Sequence, residues 1–162
     1  MDSCAALVEA LAQRLIERGE RLAFAESCTG GLLSKLATDL AGSSAWFERG
    51  LVTYTNDAKH DLLGVPMALF QSDGAVSEAC AHAMAAGLMS RTPADWGVAV
   101  TGIAGPGGGN PGRPVGTVWI AWIRRGHEPQ PVCHHFDGDR AAIREAAACR
   151  ALEGLLDRLH AA

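Results

Sequence analysis

Ser27 stands in the run Ala25-Glu-Ser-Cys-Thr-Gly-Gly31, where a hydroxyl follows an apolar segment and two glycines follow the hydroxyl. Glycines let a ligand approach the backbone closely. A helix beginning just beyond them would aim free N–H groups and its positive dipole end at an oxyanion or a phosphate. The same residues also suit a plain helix cap by Ser27 or Thr29. A serine becomes a nucleophile only when a base can take its proton, and the candidate base is Lys59. Of the fourteen basic residues only Lys35 and Lys59 are lysines. Lysine can give up its proton, whereas arginine effectively cannot. With Asn56 as N-cap, Lys59 falls in the first turn of a helix. The dipole and burial there both disfavour ammonium, moving the amine down from its usual ~10.4. The alternative is an exposed surface lysine, which is how Lys35, mid-helix, reads. Cys28, beside the serine, is a second nucleophile to weigh, because a thiol at a helix N-terminus can be reactive.

Two further stretches could bind a ligand. Gly107, Gly109 and Gly112 spell a literal G-x-G-x-x-G, but Pro111 and Pro114 intervene and a strand follows, so the motif lacks the helix that a dinucleotide site requires. What remains is a loop after a strand whose amides could line a pocket. In Phe136-Asp-Gly-Asp-Arg140, an arginine in the first turn of a helix opposes the dipole, which capping by Asp137 or Asp139 could offset. A phosphate or carboxylate contact and a surface ion pair both explain Arg140. His134 and His135 alternate faces of a strand, His82 reads as a core or surface residue, and no metal is assigned.

The elements that must hold these residues alternate. The spacing of Leu7, Leu11 and Leu15 predicts a helix over 4–18 closed by Gly19. A strand over 20–26 and a helix over 32–40 follow, then a strand over 50–55, a helix over 57–63 ended by Gly64, and an alanine-rich helix capped by Ser77 and running to Arg91. Trp96 to Thr101 has the pattern of a buried strand. Residues 115–124 and 131–136 read as a strand pair turned near Gly126, before a long amphipathic helix over 140–160. Alternating helices and strands with a late hairpin imply an α/β protein with a mixed sheet.

At 162 residues the chain suits one domain, 1–162. A net charge of -4 argues against nucleic acid as a partner. No run resembles a signal peptide or a membrane span, so a soluble cytoplasmic protein is expected. The five cysteines are odd in number, scattered and without C-x-x-C, and read as reduced thiols, mostly core filler.

Together, Ala25–Gly31, Ala41-Gly-Ser-Ser-Ala-Trp-Phe47, Val52-Thr-Tyr-Thr-Asn-Asp-Ala-Lys59, Gly74-Ala-Val-Ser77, Thr101-Gly-Ile-Ala-Gly-Pro106, Pro114-Val-Gly-Thr-Val118 and Gly138-Asp-Arg140 resemble the nicotinamide-nucleotide amidase (PncC) family, also found as the C-terminal domain of CinA proteins. The resemblance spans nearly the whole chain, so the N-terminal domain of long CinA proteins is expected to be missing. It implies a three-layer α/β/α sandwich that deamidates nicotinamide mononucleotide, usually as a homodimer, with no cofactor. It assigns Ser27 as nucleophile, Lys59 as general base and Tyr54, the only tyrosine, as an assisting residue. Cys28, Thr29, Gly30 and Gly31, the Thr101, Gly102, Ala104 and Gly105 loop, and Arg140 would meet substrate, with amides near Thr29 and Gly30 holding the oxyanion. Arg113 stands where family members often carry lysine, which keeps the charge. The competing readings are a Ser-Lys amidase for another small amide and a non-catalytic nucleotide-sensing or partner-binding module.

Overall fold

A computed structural model describes residues 2–162, and residues 4–162 with their side chains. The elements are α1 (Asp2–Arg18), β1 (Leu22–Glu26), α2 (Leu32–Thr38), β2 (Phe47–Val52), α3 (Asn56–Leu63), α4 (Met67–Ser72), α5 (Glu78–Arg91), β3 (Trp96–Gly102), β4 (Thr117–Arg124), β5 (Gln130–His135) and α6 (Arg140–Ala161). The five strands form one sheet in the order β2-β1-β3-β4-β5. β1 runs parallel to both β2 and β3, while β4 is antiparallel to β3 and β5. The sheet is mixed, as the late hairpin implied.

Period-two alternation sorts side chains by size onto the two faces. Leu22, Phe24, Trp96, Val98, Val100, Val118, Ile120 and Trp122 pack against α1, α2 and α6. Ala23, Ala25, Ala99 and Ala121 face α5. Small residues on that side let the alanine-rich helix lie close. Gly87 of α5 lies so near α3 that a Cβ there would stand 1.9 Å from Leu63 O.

Several expectations are corrected. The second strand is Phe47–Val52 rather than 50–55, because its pairing with β1 begins at Phe47 and ends at Val52. The N-cap of α3 is Thr55, whose side chain accepts Ala58 N–H, and Asn56 is the first helical residue. The short helix α4 and a 3-10 turn at Ser43–Ala45 carry too little periodicity to be foreseen. Cys4 and Cys149 are joined in a disulfide between α1 and α6, against the reading of all five cysteines as reduced thiols. Their spacing of 145 residues hides a pairing that only helix packing creates. Among the described residues, no helix is long and apolar enough to cross a membrane.

Candidate active site

The carboxyl ends of β1, β2 and β3 meet where the chain goes to β2 on one side of β1 and to β3 on the other. Such a switch point leaves a crevice for ligands. Here it is an open pocket of about 280 Å³ lined by Ser27, Tyr54, Lys59, Thr101, Gly105 and Arg140 among others, near the lower end of the roughly 300–1,000 Å³ of small-ligand sites.

Ser27 directly follows β1, and its amide donates to Val100 O on β3. Lys59 reaches it from α3. Its amine lies 2.9 Å from Ser27 Oγ, 2.9 Å from Thr53 O and 3.0 Å from Tyr54 O. Lys59 is 1% exposed. None of its three partners is charged, so burial pushes the amine below the usual lysine range. Three N–H groups of the amine match these three oxygens, and on losing one proton it would keep its bonds to the two carbonyls and turn a lone pair to the serine hydroxyl. Ser27 Oγ also lies 3.3 Å from Tyr54 O, to which it donates when the amine is protonated.

Tyr54 meets the pair through its main chain. Its phenol instead accepts from Arg140 Nη2 at 3.1 Å, and Arg140 Nη1 donates to Gly105 O at 2.7 Å. Asp139 caps α6 by accepting Ala142 N–H, holding Arg140 at the pocket rim. Both partners of Arg140 are neutral, and among the described residues no carboxylate pairs with it, so its charge remains available to an anion. Thr101 Oγ1 donates to Ala75 O, and Gly102, Ala104 and Gly105 line the pocket wall. Cys28 also lines it, but burial pushes its thiol up to about 11, away from the thiolate.

Thr29, Gly30 and Gly31 lie elsewhere. None of them lines the pocket. Gly30 N–H already donates to Ser27 O, which removes the oxyanion donor expected there. Thr29 Oγ1 and Gly31 N–H turn to the buried carboxylate of Glu26. Arg144 of α6 donates to Cys28 O and Thr29 O, pinning the turn from outside. Sequence reasoning overlooked Glu26 and Arg144. The position of Glu26 beside the serine was a signal for the first, while nothing local marks the second. Lys35 is exposed and pairs with Asp39, as a solvated charge should.

Another cavity, of about 300 Å³, lies between Trp96, Trp122, Arg124 and Arg158 at the opposite end of the sheet. It holds no nucleophile beside a base, so its size does not make it the reactive site. His134 stacks on Phe136, and no group of three His, Cys, Asp or Glu among the described residues could hold a metal.

A CinA-like protein of Akkermansia muciniphila is 49% identical over 153 residues, covering 94% of this chain and 37% of its own length. The chain thus spans little more than a third of that longer relative. The nicotinamide-nucleotide amidohydrolase PncC of Escherichia coli K12 is 47% identical over 149 residues, covering 92% of this chain and 90% of that protein. The crystal structure of the competence damage-inducible protein A of Klebsiella pneumoniae superposes with a TM-score of 0.93 at 39% identity, over 97% of both chains. The CinA C-terminal domain model matches residues 4–159, and the chain belongs to that family.

Proposed function

We propose that the chain hydrolyses the carboxamide of nicotinamide mononucleotide to nicotinic acid mononucleotide and ammonia, with Ser27 as nucleophile and Lys59 as general base. The carrying observation is the 2.9 Å contact between the buried Lys59 amine and Ser27 Oγ at a pocket with an unpaired arginine. Similarity to proteins named nicotinamide-nucleotide amidohydrolase supports the substrate.

In this reading neutral Lys59 takes the Ser27 proton as Oγ attacks the carboxamide carbon. The amide of Cys28, which lines the pocket, receives the developing oxyanion. Lys59 returns the proton to the departing nitrogen, the C–N bond breaks and ammonia leaves. Water, deprotonated by Lys59, then attacks the acyl carbon, and Lys59 passes that proton to Ser27 Oγ as the ester bond breaks and the acid leaves. Arg140 binds the phosphate, and Tyr54 holds Arg140 through its phenol. No cofactor enters the scheme. The single domain over 1–162, the homodimer and the cytoplasmic location belong to the same proposal, and the homodimer rests on the family resemblance.

The test is incubation with nicotinamide mononucleotide, with mass-spectrometric detection of the acid and an ammonia assay. Ammonia release from other small amides but not from this nucleotide would keep the dyad and overturn the substrate. No release from any amide would favour a non-catalytic nucleotide-binding module.

A further inference from the structure

Glu26 ends β1 and is wholly buried. A buried carboxylate is costly unless donors surround it, and here there are five. Oε1 accepts from Thr29 Oγ1 at 2.7 Å, Gly31 N at 3.2 Å and Leu33 N at 2.9 Å. Oε2 accepts from Ser34 N at 3.0 Å and Ser34 Oγ at 2.7 Å. The carboxylate therefore fills the N-terminus of α2.

The main chain of the same residue reaches the other half of the pair. Glu26 O accepts Thr53 N–H at 2.7 Å and lies 3.4 Å from Thr53 Oγ1. Thr53 O in turn accepts from Lys59 Nζ. Ser27 is bonded directly to Glu26, so one residue ties together the serine turn, the strand end that orients the lysine, and the first turn of α2.

We propose that Glu26 is a positioning residue for the Ser27–Lys59 pair: its buried carboxylate clamps the turn over 27–34 so that Ser27 Oγ faces the amine. The inference rests on the reading of Ser27 as nucleophile and Lys59 as base. A mere helix cap would give stability alone. A positioning role requires Ser27 to lose reactivity in a protein that is still folded.

Glu26→Gln discriminates between them. A glutamine oxygen can keep the bonds to Thr29, Gly31 and Leu33, but its NH2 group then meets the N–H of Ser34, a donor against a donor. Ser27 reactivity is read as the rate of labelling by a small alkyl fluorophosphonate, followed by intact-protein mass, which does not require the substrate to be known. Turnover of nicotinamide mononucleotide is measured in parallel. Leu159→Ala, in the core at the far end of α6, is a destabilised control with the site untouched.

At a temperature where all variants are folded, Glu26→Gln should label at least about tenfold more slowly and lose kcat in proportion, with KM changed less than about threefold. Leu159→Ala should keep the wild-type labelling rate. If Glu26→Gln does not fold, the double variant Thr29→Val/Ser34→Ala removes two donors and keeps the carboxylate, and should label several-fold more slowly. Wild-type labelling rates in the folded Glu26 variant, or in the double variant, overturn the proposal. So does an equal loss in Leu159→Ala. A labelled wild type that leaves nicotinamide mononucleotide unchanged would refute the substrate assignment while the Glu26 comparison stays decisive, whereas a wild type that neither labels nor turns over the nucleotide refutes both, and one that turns it over without labelling leaves the kcat of Glu26→Gln to decide.

Discussion

Ser27 and Lys59 differ in what a substitution removes. Ser27 accepts no backbone N–H of α2, since Glu26 takes the amides of Gly31, Leu33 and Ser34. Ser27→Ala should therefore cost little stability, less than the ~1 kcal/mol of a lost cap, while reducing turnover on the order of 10³-fold or more. Turnover retained in the folded variant would remove Ser27 as nucleophile. Cys28→Ser is expected to keep most activity, because a thiol held at about 11 is scarcely ionised at neutral pH. Iodoacetamide should modify Cys28 slowly for the same reason. For Lys59 the decisive variant keeps the charge. Lys59→Arg should be nearly as inactive as Lys59→Met, since guanidinium cannot accept the serine proton. The pH profile follows the direction of the lysine shift. Burial lowers the amine's pKa, so the neutral base appears below the usual ~10.4, and kcat/KM should fall on the acid side through that lowered value and level off above it. Turnover that continues to climb up to about pH 10 would mean that burial does not poise Lys59.

The pair is assembled by elements that meet only in the folded sheet. α3 brings Lys59, and its placement depends on Gly87 of α5. Alanine in mid-helix ordinarily stabilises by about 1 kcal/mol over glycine. At Gly87 the added Cβ would stand 1.9 Å from Leu63 O, so Gly87→Ala should instead destabilise by about 1–3 kcal/mol through forced displacement. Because the displaced element is α3, activity at a permissive temperature should fall as well. A stabilised, fully active Gly87→Ala protein would show that α3 tolerates the shift. α6 supplies two arginines one turn apart, Arg140 at the pocket and Arg144 on the turn after Ser27. Arg140→Ala should weaken the nucleotide far more than the corresponding nucleoside, since only the nucleotide offers a phosphate, and equal losses on both would indicate a structural role. Much of this layout is legible from local pattern: the leucines of α1 and α6, Ser77 before α5 and Gly64 after α3 each announce an element boundary. β2 is less so, because Phe47-Glu-Arg-Gly50 lacks alternation and becomes strand by pairing with β1. Ser27, Lys59 and Arg140 are legible as residue types that can do chemistry. Glu26 is legible only by its place beside the serine, since a glutamate at a strand end looks exposed until five donors close around it. Arg144 acts on carbonyls more than a hundred residues earlier, and no spacing reports that.

At the scale of the whole molecule, both ends of the chain lie on one layer. α1 and α6 pack side by side over the large-residue face of the sheet, and Cys4–Cys149 links them across 145 residues. A crosslink of that span restricts the unfolded chain far more than the folded one, and in the chain-entropy account contributes about 4–5 kcal/mol. The bond lies on α1 and the middle of α6, whereas Ser27 and Lys59 are held by Val100, Thr53 and Tyr54 on other elements. Reduction should therefore lower the melting temperature by several degrees or more and leave kcat near its oxidised value at temperatures where the protein stays folded. Thiol titration in denaturant supplies the count: Cys28, Cys80 and Cys133 are free, so three thiols should react before reduction and five after. Cys149→Ser should melt like the reduced protein and become insensitive to reductant. Five reactive thiols in protein purified without reductant, together with a melting temperature that reductant does not change, would show that the two helices are held by packing alone. A large loss of kcat on reduction, with folding intact, would instead mean that α6 transmits the state of Cys149 through Arg144 to the turn at Cys28 and Thr29.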